Sequence, residues 1–214
     1  MFELLTAGGW LIWPILLCSV AALAIIIEKF RQLRSQHIMP PGLYEQVEGL
    51  IQDKKLTNAH LKALADQSVL GRIFSTAISQ AHLRKSELKA NVEDAGRHQV
   101  HEMEKHLNTL GSIAAITPLL GLLGTVVGMI KVFAAITAIG VGHPQELAEG
   151  ISQALVTTAT GLTVAIPALL FYRHFKSRVE SLSIDMEREV LRLFTLIERT
   201  KASDAHAARA EQQT

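Results

Sequence analysis

Residues 107–130 read LNTLGSIAAITPLLGLLGTVVGMI, a run of 24 without Asp, Glu, Lys or Arg. About 20 such residues suffice for a helix to cross the hydrocarbon core of a bilayer. A soluble core helix of that length shows a polar face, and this run has none. Beyond Lys131 it continues uncharged to about Gly142. Working outward, two more uncharged stretches of similar length stand at Leu4–Ile27 and Gly150–Tyr172. In lipid a lone segment satisfies its backbone only as a helix, so the chain is expected to be an all-α integral membrane protein with three spans.

Apolar residues make up 49% of the chain, no more than the roughly 45–50% of an ordinary globular protein. It is their distribution that carries the signal. The formal net charge of +1 gives no electrostatic footprint for nucleic acid. Cys18 is the only cysteine, so no internal disulfide can form. The first apolar stretch is longer than the usual 7–15 residues of a signal peptide and no basic residue precedes it, so it is expected to stay as an anchor.

Lys and Arg mark the cytoplasmic flanks of spans. None occurs in Met1–Gly9 or in the turn about Gly140–Glu149, whereas Lys29, Arg31 and Arg34 follow span one and Arg173, Lys176 and Arg178 follow span three. The expected order is therefore an outer N-terminus (1–9), span one (10–28), a cytoplasmic helical region (29–108), span two (109–139), an outer turn (140–149), span three (150–172), a cytoplasmic helix (173–202) and a disordered polar tail (203–214). Trp10 and Trp13 suit the outer headgroup boundary. Leu83, Leu88, Val92, Val100, Met103, Leu107 and Leu110 recur at helical spacing and lead straight into span two. Phe175, Val179, Leu182, Met186, Val190, Leu193 and Ile197 do the same after span three. Two long helices extending into the cytoplasm follow, each needing a partner to cover its stripe. Pro40-Pro41-Gly42 breaks the chain, and shorter helices are expected at about Leu43–Gln52, Asn58–Asp66, behind Thr57 as cap, and Val69–His82.

Span two carries Thr117-Pro118-Leu-Leu-Gly121-Leu-Leu-Gly124-Thr125-Val-Val-Gly128. Gly121, Gly124 and Gly128 share a face on which helix backbones can approach closely in lipid. Span three carries Gln153, Thr157, Thr158, Thr160, Gly161 and Thr163, then Pro167. Gln153, Thr157 and Thr160 fall within about one helical face. A single threonine commonly bonds back to its own helix, but four with a glutamine suggest a polar interface or a hydrated path. Pro118 and Pro167 each remove a backbone hydrogen bond, which neighbouring helices can replace.

No Asp or Glu occurs between Glu104 and Glu146, or between Glu149 and Glu180. Proton relays through lipid use intramembrane Asp, Glu or His, so a titrating group would have to come from another protein. Lys131 either snorkels to the outer headgroups or faces a partner's carboxylate. His101-Glu102-Met-Glu-Lys-His106 has one residue too many for a helical zinc clamp. His98, His101 and Glu102 share a face that reads as solvated surface. With no nucleophile–base pair, no metal site and no cofactor motif, an enzyme is not expected.

The motifs of spans two and three, with Gly8-Gly9-Trp-Leu-Ile-Trp-Pro14 at span one, resemble the ExbB/TolQ branch of the MotA/TolQ/ExbB proton channel family. The resemblance covers all three spans. It implies a homopentamer in the bacterial inner membrane, spans two and three lining a central pore. Inside would sit ExbD/TolR-like single-span helices, each with an intramembrane Asp, coupled to a TonB/TolA-like periplasm-spanning protein. Thr125 and Thr158 match the threonines that line the family's proton path. Gln153 stands where ExbB and TolQ commonly have Glu, and Gln cannot titrate. A non-conducting scaffold is the alternative reading. A three-span transporter would show duplicated halves, and no internal repeat is present.

Overall fold

The computed structural model describes residues 8–53, 56–140 and 144–211 of the 214-residue chain, with side chains to Ser203. Among these residues there are eight helices: α1 (Ile12–Gln32), α2 (Ser35–Ile38), α3 (Leu43–Gln52), α4 (Asn58–Gln67), α5 (Val69–Ser79), α6 (Lys85–Glu104), α7 (Leu107–Ile139) and α8 (Pro144–Glu211). Three helical stretches, Ile12–Gln32, Lys85–Ala138 and Pro144–Ser203, are long and apolar enough to cross a membrane. The chain divides into two compact units, Met1–Phe30 with His106–Lys176 and Arg31–Lys105 with Ser177–Thr214.

In the first unit α1, α7 and the start of α8 meet. Pro144 opens α8 where a missing N–H costs nothing, six residues before the expected start of span three. Residues 141–143 of the intervening turn lie outside the described residues, as do 1–7 of the N-terminus. At the other end of the unit, the rings of Phe30 and Phe175 meet edge to face at 5.1 Å and those of Phe30 and Phe171 at 5.5 Å. Phe175, the first residue of the stripe after span three, is 2% exposed.

The stripe from Leu83 does not run unbroken into span two. Lys105 closes α6, its N–H bonding the carbonyls of His101 and Glu102, and His106 takes a left-handed backbone with φ 66°. That conformation is uncommon for a side chain with a Cβ. Here the His106 ring lies 3.1 Å from a Glu28 carboxylate oxygen at the end of α1. Met103, Leu107 and Leu110 are buried on both sides of the break, so the apolar periodicity gave no sign of it.

In the second unit α3, α4, α5 and α6 accompany the latter part of α8. Leu88, Val92 and Met103 of α6 are buried, as are Val179, Leu182, Met186, Leu193 and Ile197 of α8. Val100 and Val190 line a groove of about 490 Å³ between the two helices. Lys85 and Glu198 pair at 2.6 Å, and the Arg192 guanidinium lies 4.1 Å from the Tyr44 ring centroid. The helix α3 has its expected bounds, and α4 and α5 differ only at their ends. Thr57 is the N-cap residue of α4 as expected but makes no side-chain cap bond, whereas at the start of α5 the Ser68 hydroxyl accepts the Gly71 N–H at 3.0 Å. Ser68→Ala is expected to lower stability by about 1 kcal/mol, read as a fall in the thermal midpoint of the purified protein. An unchanged midpoint would remove the cap as a stabilising contact. At its far end α8 stays helical to Glu211, not ending at Ser203 as expected from the polar tail. Alanine is the strongest helix former, and the Ala-rich segment extends a helix already nucleated upstream.

Candidate functional site

Small residues set the distance between α7 and α8. A Cβ added to Gly161 would lie 2.8 Å from the Thr117 carbonyl oxygen and 3.1 Å from Gly121 Cα. One added to Gly128 would lie 2.7 Å from the Gly150 carbonyl oxygen. One added to Gly121 would sit 3.1 Å from Thr158 Cα, and Gly124 faces the Thr157 side chain directly. The helices are therefore antiparallel with backbones in contact, Gly128 opposite Gly150 and Ala154, Gly121 opposite Thr158 and Gly161. This is the close approach that small residues permit in lipid.

Hydroxyls follow this seam. Thr158 Oγ1 donates to the Gly121 carbonyl at 2.9 Å, crossing from α8 to α7. In an α-helix that carbonyl also accepts the amide of Thr125, four residues on. Thr125 itself is half-buried, and its hydroxyl bonds the Leu122 carbonyl at 2.6 Å. The Thr158 and Thr125 hydroxyls thus sit on consecutive carbonyls of α7, those of Gly121 and Leu122. Thr117, fully buried, bonds the Ile113 carbonyl below Pro118.

Gln153 and Thr157 face the turn that precedes α1. The Thr157 hydroxyl lies 3.0 Å from the Gly8 carbonyl and 2.7 Å from the Gln153 carbonyl, so its single proton is shared between them. Gly9, at φ 70°, leaves no room for a side chain against the Gln153 amide. Gln153 Oε1 accepts a hydrogen bond from Lys131 Nζ at 2.8 Å. Lys131 stands beside Val132, which faces Gly150, and reaches Gln153 one turn closer to the middle of the hairpin. It does not extend towards the Gly140 end of α7, as a snorkelling lysine would.

Thr160 departs from the expected face. Gln153 and Thr157 are buried, whereas Thr160 is half-buried and lines a shallow groove of about 290 Å³ with Val156, Ala159, Thr163 and Val164. Its hydroxyl bonds back to the Val156 carbonyl at 2.7 Å, and that of Thr163 to Ala159 at 2.8 Å. Thr158 and Thr160 thus border the buried strip of α8 on opposite edges. Helical spacing puts Gln153, Thr157 and Thr160 within about 60° of one another, and that spacing alone does not separate the centre of a buried strip from its rim. Pro118 and Pro167 lie inside continuous helices, the first in α7 and the second in α8. Sequence reasoning passed over Thr117 and the packing of Gly8 and Gly9 on span three; only the paired glycines hinted at the latter.

The sequence pattern of the MotA/TolQ/ExbB proton channel family matches residues 65–188, which include both glycine and threonine motifs. A putative biopolymer transport protein ExbB homolog of Methanothermobacter thermautotrophicus is 29% identical over 84% of this chain and 64% of its own length. The biopolymer transport protein exbB1 of Vibrio cholerae is 31% identical over 75% of this chain and 72% of its own. The Tol-Pal system protein TolQ of Haemophilus influenzae is 27% identical over 74% and 67% respectively. The chain therefore spans about two thirds of the length of these relatives.

Proposed function

This chain belongs to the MotA/TolQ/ExbB proton channel family, and from that premise we propose that it is the ExbB/TolQ-like subunit of a proton-driven motor in the bacterial inner membrane. The observation that carries the reading is the Thr158 hydroxyl on the Gly121 carbonyl with the Thr125 hydroxyl on the next carbonyl, a hydroxyl-bearing seam between two spans that contain no carboxylate. Hydroxyls and carbonyls can pass a proton along or hold water, but they do not store one at neutral pH. The acid that loads and unloads the proton then belongs to an ExbD/TolR-like single-span partner, held where copies of this chain, five in a ring, turn α7 and α8 inward. Thr160, Thr157 and Gln153 flank the path, and the N-terminus is periplasmic while α6 and the end of α8 are cytoplasmic. One charge crossing 100 mV releases about 2.3 kcal/mol, enough over several protons to drive a mechanical step in a TonB- or TolA-like protein.

The test is proton flux into proteoliposomes, measured with the purified chain alone and with its co-purified single-span partner. Flux is expected only with the partner present. Flux through the chain by itself would overturn the division of labour, and an assembled complex that passes no protons would leave a scaffold.

A further inference from the structure

The Lys131–Gln153 contact has no counterpart in a plain hydroxyl-lined seam. An ammonium has three donor hydrogens, and one of those on Lys131 goes to Gln153. Gln153 is neutral and 7% exposed, so it fixes the amine without cancelling its charge. Around Lys131 on the outer face of α7 stand apolar side chains open to whatever surrounds the unit: Ile130 and Phe133 are each 61% exposed and Met129 is 42% exposed. A cation set among such residues and drawn inward, away from the nearer end of its helix, needs an anion at that depth. Lipid phosphates lie at the headgroup level, which is the direction Lys131 does not take. This chain has no Asp or Glu between Glu104 and Glu146 or between Glu149 and Glu180 to supply one.

We propose that Lys131, aimed by Gln153, is a docking point for an Asp or Glu side chain on a membrane-spanning helix of a second protein. The argument is one of charge complementarity: a positively charged group inside an apolar belt, one donor anchored and the others presented outward, fits a carboxylate in the same layer. Gln153 has the role of a positioning residue. Its neutrality is what leaves the ammonium available, since a carboxylate at 153 would take the ion pair for itself. The inference rests on the reading of α7 and α8 as the surface that meets a partner span.

Carbodiimide chemistry tests it directly, because dicyclohexylcarbodiimide enters the bilayer and joins an amine to a carboxylate only when the two are in contact. The tagged full chain, in membranes of its own host, is treated, purified and digested, and peptides linked through Lys131 are sequenced by mass spectrometry. The expected product joins Lys131 to an Asp or Glu within an apolar segment of another chain. In Gln153→Glu the amide should form internally, between residues 131 and 153, and the external product should fall at least tenfold. A lock that merely held the hairpin together would be kept or strengthened by that substitution and would leave partner retention unchanged. Wild-type Lys131 recovered unlinked while the internal amide forms in Gln153→Glu overturns the proposal, as does linkage to a lipid headgroup alone. Loss of flux in Thr158→Val alongside either of those results would leave the channel reading standing and remove only this one.

Discussion

Thr158→Val is expected to abolish proton flux through the assembled complex while leaving the complex intact. Valine keeps the shape of threonine and removes the one hydroxyl that bridges α8 to α7. The lost hydrogen bond costs about 1 kcal/mol, and the Gly121 carbonyl keeps its helical donor, so the fold survives. Flux should nevertheless fall by more than tenfold, because no other threonine hydroxyl on α8 is bonded to a backbone group of α7 in the described residues. Thr125→Val should act in the same direction, since it removes the hydroxyl that sits on the Leu122 carbonyl, next along α7 from the Gly121 carbonyl. Thr163→Val supplies the contrast: its hydroxyl is exposed and bonded back to Ala159, and its loss should change flux by less than twofold. Proteoliposome flux and native mass spectrometry on the same preparations read both halves. Wild-type flux in Thr158→Val and Thr125→Val together would remove the seam from the proton path.

Which parts of this were legible in the sequence follows from what each feature depends on. Spans are written in the absence of charge over some 20 residues, and a bilayer enforces that locally, so all three could be placed without knowing any contact. The bounds of α3 were equally local, set by Gly42 in front and a short amphipathic run behind. The glycine face of α7 was readable because only a close neighbour makes three small residues on one side worth keeping in a helix. By contrast, the left-handed backbone at His106 stands beside Glu28, 78 residues away, and the buried periodicity simply resumes after it. The direction of Lys131 was open for the same reason: snorkelling and inward reach differ only in where an acceptor lies, and Gln153 is on another helix. Thr160 was grouped with Gln153 and Thr157 because helical spacing gives an angle, while burial depends on how α1 and α7 share the circumference of α8.

The seam itself yields the other large effect, and its sign depends on position. Gly161→Leu is expected to prevent stable assembly. Even alanine at 161 would press its Cβ on the Thr117 carbonyl and the Gly121 backbone, neither of which can rotate away as a side chain could. Overpacking of that kind costs about 1–3 kcal/mol for a methyl group, and leucine at the same point forces the helices apart along several turns. Gly96 in α6 and Gly49 in α3 face nothing within 4 Å, so alanine there should stabilise by about 0.5–1 kcal/mol through helix propensity alone. Thermal midpoints of the detergent-solubilised protein should therefore move down for Gly161→Ala and up for Gly96→Ala, with Gly161→Leu failing to give a folded complex. A Gly161→Ala midpoint equal to wild type would mean that the backbones of α7 and α8 are not in contact at this level. The two effects are coupled, because a seam opened at 161 carries Thr158 away from the Gly121 carbonyl less than one turn from it. Flux in Gly161→Ala should then fall with the midpoint, whereas Thr158→Val loses flux at nearly unchanged stability, and that difference separates the packing of the path from its chemistry.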